Sequence, residues 1–306
     1  MKLKFKTIFL PLLTAFIWGT AFVAQDYCAE SIPPFTFNAL RFAAAVVFLC
    51  AVKLVIGLFK KKKAAEYAPS LPRGEMLKKL ALAGLLCGAA LGVASNLQQA
   101  GMQAGLDAGK SGFITALYVV LVPIGATLLG KRLPAVFWAG LALAVVGLYL
   151  LCVNGSFSLA PADLLTLGCA LAFAVQILLI DRFAGELDPI LFCIAEFAAA
   201  ALLSLLGALL FEEPAWPAVW EYALPLLYVA IFSCGVAYLL QIVAQREGDP
   251  AIVSLLFSME SVFSVLGGAV ILHQRMTARE YLGCALILAA VIIAQLPQKP
   301  RQQEEA

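Results

Sequence analysis

Ten apolar stretches, each close to the length that crosses a lipid bilayer, follow one another at roughly 7–25, 34–58, 77–101, 111–129, 134–153, 161–181, 189–211, 221–244, 250–272 and 279–296. A run of about twenty apolar residues satisfies its backbone internally as a helix, and lipid leaves no other solution to a single continuous segment. Short polar or Pro/Gly-bearing connections separate the runs, so the pattern predicts an all-α integral membrane protein of ten transmembrane helices. Composition agrees: 63% of the 306 residues are apolar and 13% are charged, where a soluble domain carries about 25%. The 21 basic and 19 acidic side chains nearly cancel, which excludes the basic field needed for nucleic acid. Seven of the eight cysteines (Cys50, Cys87, Cys152, Cys169, Cys193, Cys234 and Cys284) fall inside apolar runs without metal-ligand spacing, and read as small packing residues.

The start, with Lys2, Lys4 and Lys6 before an apolar run, mimics a signal peptide, but the run is about as long as a span and lacks a clear cleavage site. It reads as a retained first helix. With the N-terminus cytoplasmic, the inner connections collect Lys2, Lys4, Lys6, Lys60 to Lys63, Arg73, Lys78, Lys79, Lys131, Arg132, Arg182, Arg246, Lys299 and Arg301. The outer ones hold Lys110, Arg275 and Arg279. Sixteen against three is a strong positive-inside bias, predicting a multi-pass protein of the plasma or inner membrane with both termini cytoplasmic.

An internal repeat constrains the fold further. A shift of 155 residues lays Leu12, Ala15, Asp26, Pro34, Phe37 and Phe42 on Leu167, Ala170, Asp181, Pro189, Phe192 and Phe197. Beyond the basic loop at 59–76 the shift becomes 143, pairing Gly92, Leu97, Gln98, Gly105, Gly125 and Arg132 with Gly235, Leu240, Gln241, Gly248, Gly268 and Arg275. The reading is one repeat over 1–155, a second over 156–298 and a polar cytoplasmic tail over 299–306. Each repeat holds five helices, an odd number, so the second enters the membrane upside down. Two inverted-topology five-helix repeats can exchange conformations around a site between them, which is alternating access. A duplication that only enlarged a bundle is the plainer account.

Ionisable groups deep in the membrane cost about 2.5–3.5 kcal/mol each on insertion and usually face a cavity or a partner. Three stand out: Arg41 in helix 2, Glu196 at its repeat-equivalent position in helix 7, and Glu260 near the middle of helix 9. In a polar cavity Arg41 would bind a carboxylate, and an acid would bind an ammonium or take up a proton; Glu196 and Glu260 are the proton-coupling candidates. The alternative is an Arg41–Glu pair that only ties helices together. Asn38, Asn96, Gln98 and Gln241 are further cavity candidates, with Gln176 and Gln245 as weaker signals, although interhelical hydrogen bonds alone would explain amides. Trp18 and Tyr118 could present ring faces to a substrate. Gly84, Gly88 and Gly92 form a small-residue stripe for close helix approach, and Pro34, Pro123 and Pro189 are hinge candidates.

Gly105, Gly109, Lys110 and Ser111 imitate a phosphate-binding loop but have three residues between the glycines where the motif needs four, and no strand precedes them. His273 lacks any metal-site context, and no G-x-S-x-G run occurs. The expectation is a protein that is not an enzyme, with no cofactor and no metal. The expected partners are a small-molecule substrate and membrane lipid, not nucleic acid, with a homodimer left open.

Trp18-Gly-Thr-Ala-Phe-Val, Pro34-Phe-Thr-Phe-Asn-Ala-Leu-Arg41-Phe, Gly112-Phe-Ile-Thr-Ala-Leu-Tyr118 and Ser258-Met-Glu260-Ser, in this order and spacing, resemble the drug/metabolite transporter superfamily, specifically its EamA-type members. The resemblance covers about residues 7–296. It implies a ten-helix inverted-repeat fold, a central cavity built mainly by helices other than 5 and 10, and commonly export of amino acids or related metabolites. Two departures accompany it. The Gly-Glu-Arg-Leu segment usual after helices 4 and 9 reads Gly130-Lys131-Arg132-Leu133 and His273-Gln274-Arg275-Met276, and the usual Leu-Glu-Pro reads Met259-Glu260-Ser261. The function expected is a secondary transporter, an exporter of small polar metabolites, with proton coupling as a hypothesis. Uniport or exchange of anionic or nucleotide-sugar-like metabolites is the alternative.

Overall fold

The computed structural model describes residues 5–59, 72–106, 108–153, 160–213, 215–271 and 276–294. Lys2, Lys4, the run Lys60 to Lys63, His273, Gln274, Arg275, Lys299, Arg301 and the 299–306 tail lie outside them. The described chain is helical, with no strand among the described residues. The longer helices are α1 (Thr7–Ala29), α2 (Pro34–Phe59), α3 (Arg73–Gln103), α4 (Ser111–Leu128), α5 (Ala135–Cys152), α6 (Pro161–Phe183), α7 (Pro189–Phe211), α8 (Ala223–Glu247), α9 (Pro250–Leu266) and α10 (Ala278–Ala294), with a short helix at Trp216–Glu221 before α8. Seven of these, α1 to α4 and α6 to α8, are long and apolar enough to cross a membrane. The helices α5 and α9 are shorter apolar helices, and α10 has 17 residues.

Sequence chemistry sets the boundaries. Pro189 and Pro250 each stand in the first helical turn behind an aspartate, where a missing N–H costs nothing. Asp188 accepts from the backbone N–H of Ile190 and Leu191 at 3.1 Å each, and Asp249 from that of Ala251 at 2.9 Å. Pro34 and Pro189 thus begin helices instead of bending them; Pro123 alone of the three hinge candidates is interior. Gly130 has φ +93°, a left-handed conformation that glycine adopts without strain, and it ends α4 with paired bonds from Gly130 to Thr127 and from Lys131 to Ala126. Gly105, at φ +88°, ends α3 in the same way and is a helix cap, not part of a phosphate loop.

Polarity is arranged inside out relative to a water-soluble bundle. On α2, Val47, Leu54 and Leu58 are each 70% exposed, while Asn38 and Arg41 are buried. Such a helix offers hydrocarbon to its surroundings and amides and charge to its neighbours, the arrangement lipid requires.

Side-chain contacts give the relative directions. Helices α2 and α7 are antiparallel: the Glu212 carboxylate just past α7 accepts the backbone N–H of Phe35 and Thr36 at the start of α2, both at 2.7 Å, while Lys53 near the end of α2 pairs with Asp188 at 2.7 Å. Helices α3 and α7 are parallel, since Gly84, Gly88 and Gly92 face Ala195, Ala199 and Leu203 in turn. A Cβ added at Gly92 would lie 2.9 Å from Leu203, so the stripe lets the two backbones close up, as its spacing predicts. Helices α5 and α10 meet antiparallel through Gly147 on Gly283 and Gly140 on Ala290. Finally α1 runs antiparallel to α8, with Thr14 beside Ala237 and Trp18 beside Ser233.

Candidate functional site

Three helices depart from regular α geometry beside one cavity, apart from a π-helical turn over Phe5–Phe9 at the start of α1. In α4 the helix is interrupted at Leu117, where the backbone turns through three-residue bonds from Leu117 to Ile114 and from Val120 to Leu117. In α9 the same pattern recurs at Ser258, with bonds from Ser258 to Leu255 and from Ser261 to Ser258. Over Val229–Tyr238, α8 widens to a π-helix, a form that gathers at functional sites.

The cavity has a volume of about 40 Å³. Helix α1 contributes Trp18, Phe22 and Gln25; α2 contributes Arg41; α3 contributes Gln98; α4 contributes Thr115 and Tyr118. From the second half come Phe173, Gln176 and Ile177 on α6, Ser233, Tyr238 and Gln241 on α8, and Glu260 on α9. No lining residue comes from α5 or α10, as the resemblance implies.

Each wall is held by hydrogen bonds. The Trp18 indole N–H donates to the Ser233 carbonyl at 3.3 Å, and its ring meets Tyr238 and Phe257 edge-on with centroids 5.0 and 5.1 Å away. The Arg41 guanidinium donates to Gln25 Oε1 at 2.5 Å and lies over the rings of Phe37 and Phe42. The Tyr118 hydroxyl donates to Glu260 Oε1 at 3.0 Å. Gln98 donates to Thr115 Oγ1 at 3.3 Å. Gln241 donates to Gln176 Oε1 at 3.3 Å, and Gln176 in turn donates to Glu196 Oε1 at 2.8 Å.

Of the residues singled out from the sequence, the structure brings Trp18, Arg41, Gln98, Tyr118, Gln241, Glu260 and the weaker candidate Gln176 to the cavity wall. Glu196 is fully buried one hydrogen bond behind the wall. Asn38 and Asn96 lie elsewhere: Asn38 donates to Asn96 Oδ1 at 2.9 Å, and Asn96 donates to Ser204 Oγ at 2.9 Å and to the Gly92 carbonyl at 2.7 Å, tying α2, α3 and α7 together. An Arg41–Glu tie is absent among the described residues, because neither Glu196 nor Glu260 pairs with that guanidinium. Gln25, Thr115, Ser233 and Tyr238 went unnoticed in the sequence. Gln25 looks like the end of helix 1 there, but α1 continues to Ala29 and places it a turn inside.

Chemically, the cavity lining combines one guanidinium, one carboxyl group, four side-chain amides, hydroxyls and aromatic rings.

Apolar helices of spanning length around a cavity with polar lining define a multi-pass membrane protein. The chain belongs to the EamA-like transporter family, whose model matches residues 5–153 and again 160–295. It is a transporter of that family. It is 32% identical over 288 residues to an uncharacterized transporter of Archaeoglobus fulgidus, covering 93% of this chain and 84% of that one. A threonine/homoserine exporter, RhtA, of Escherichia coli is 31% identical over 174 residues, 55% of this chain and 57% of the exporter. A solved structure of 22% sequence identity superposes with a TM-score of 0.75 over 94% of this chain and 96% of its own, the same fold.

Proposed function

We propose that the protein is a secondary transporter, an exporter of small zwitterionic metabolites such as amino acids, working by alternating access between two inverted five-helix repeats. Ten membrane crossings with both termini cytoplasmic complete the reading. Arg41 takes the carboxylate, and Glu260 takes the ammonium and is the group to accept a proton once the substrate leaves.

The observation that carries the reading is the pairing of the cavity walls. Under the shift of 155, Trp18 corresponds to Phe173 and Phe22 to Ile177; under the shift of 143, Gln98 corresponds to Gln241. All six residues line the cavity. A pseudo-twofold axis through the site accounts for this, and such an axis lets the two halves swap roles. The antiparallel contacts of α2 with α7 and of α5 with α10, each joining repeat-equivalent helices, support the same axis. So do the interruptions of α4 and α9, since Leu117 shifted by 143 falls on Glu260, two residues beyond Ser258.

The RhtA relatives bring amino-acid export to this reading. A nucleotide-sugar-like substrate fits less well, because its phosphates would face Glu260 with Arg41 the one cation among the lining residues. The test is flux in proteoliposomes for the twenty labelled amino acids, with and without an imposed proton gradient, beside Glu260→Gln. Gradient-driven accumulation lost in the variant supports the reading. Absence of flux across the panel overturns it.

A further inference from the structure

We infer that Gln25 is the positioning residue that keeps the charge of Arg41 available to a substrate oxyanion; this rests on the proposed role of Arg41 as the carboxylate site. Arg41 is 4% exposed, and its guanidinium lies 5.2 Å from the Phe37 ring centroid and 4.9 Å from that of Phe42. Its contact with Gln25 Oε1 at 2.5 Å fixes its position. The backbone at Gln25 is tied to α3, because its carbonyl accepts from Gln99 Nε2 at 3.2 Å. Both Gln25 and Arg41 line the cavity.

The chemistry turns on what Gln25 lacks. An arginine has five N–H donors, and a buried one usually sits against a carboxylate that cancels its charge. An amide oxygen accepts one of those hydrogens and carries no charge, so it orients the group without neutralising it. Arg41 Nε is buried and has no hydrogen-bond partner, so Gln25 does not exhaust the donors of the guanidinium. A glutamate at position 25, nearly the same shape, would form the ion pair that the structure lacks and close the site to anions.

The experiment is kinetic and uses the full-length protein in proteoliposomes. Apparent KM and kcat are measured for the best amino acid of the panel, with that amino acid and its decarboxylated amine as competitors. For Gln25→Glu the KM should rise at least tenfold with an unchanged melting temperature, and the advantage of the amino acid over the amine should collapse. Arg41→Gln should do the same, and Gln25→Met combined with Arg41→Gln should be no worse than Arg41→Gln alone, an outcome that general damage to packing would not give. If Gln25→Glu does not fold, Gln25→Met carries the test, with the same rise in KM expected; an unchanged KM overturns the inference. Gln25→Glu that keeps wild-type discrimination while Arg41→Gln loses it overturns the role of Gln25 alone. Arg41→Gln with wild-type kinetics, or no flux in the wild type, overturns both.

Discussion

Tyr118 and Glu260 meet across the cavity, hydroxyl to carboxylate at 3.0 Å, and each stands just beyond an interruption of its helix, at Leu117 in α4 and at Ser258 in α9. A broken helix can bring its next side chain into a cavity that an unbroken one would flank. A hydrogen bond to a charged group contributes about 1.5–3 kcal/mol, so removing this one should be visible in function. Tyr118→Phe is expected to lower amino-acid flux roughly tenfold or more and to alter its pH profile. Flux and pH profile both unchanged would separate Tyr118 from the coupling group.

Glu196 offers the contrast. It touches the cavity only through Gln176, so Glu196→Gln should leave substrate discrimination intact and keep gradient-driven accumulation. Loss of accumulation in Glu196→Gln with retention in Glu260→Gln, read in the same vesicles, would exchange the two roles.

The Asn38–Asn96–Ser204 cluster joins helices away from the cavity. Replacing Asn96 by Ala strips Asn38 of its acceptor in a buried place, at a cost of about 1–3 kcal/mol. A lower melting temperature with unchanged KM is the expected outcome. A changed KM with unchanged melting would place the cluster in the site.

Gly88 lies where a side chain would strike Ala199 and the backbone of Glu196, whereas Gly57 has open space around it. Gly88→Leu should therefore destabilise the protein by about 1–3 kcal/mol or prevent its folding, since overpacked helices must move apart. Gly57→Leu should be nearly neutral. Thermal unfolding in detergent distinguishes them, and equal melting of both variants would contradict the packing.

Much of this was legible because lipid leaves few choices. Spanning segments, the glycine stripe and the deep charges at Arg41 and Glu260 all follow from what hydrocarbon tolerates, and the structure puts both charges at one cavity. Less legible was the depth of each polar side chain. Asn38 and Gln25 lie on neighbouring helices, and only packing shows that Asn38 turns to Asn96 while Gln25 turns to Arg41. The boundary of α1, a single turn longer than its apolar run suggests, hid Gln25. Helix interruptions were hidden as well, because Leu117 and Ser258 carry no breaker residue of their own. Phe22 with Ile177 was within reach, since the shift that pairs Trp18 with Phe173 pairs them too.

The most direct test is counterflow: vesicles preloaded with unlabelled amino acid and offered the labelled one outside. This needs a site open alternately to each side and no driving gradient. The account predicts rapid exchange by the wild type and at least a tenfold loss in both Arg41→Gln and Glu260→Gln. Exchange at the wild-type rate in both variants would contradict it, and the cavity between Arg41 and Glu260 would no longer be the place where substrate binds.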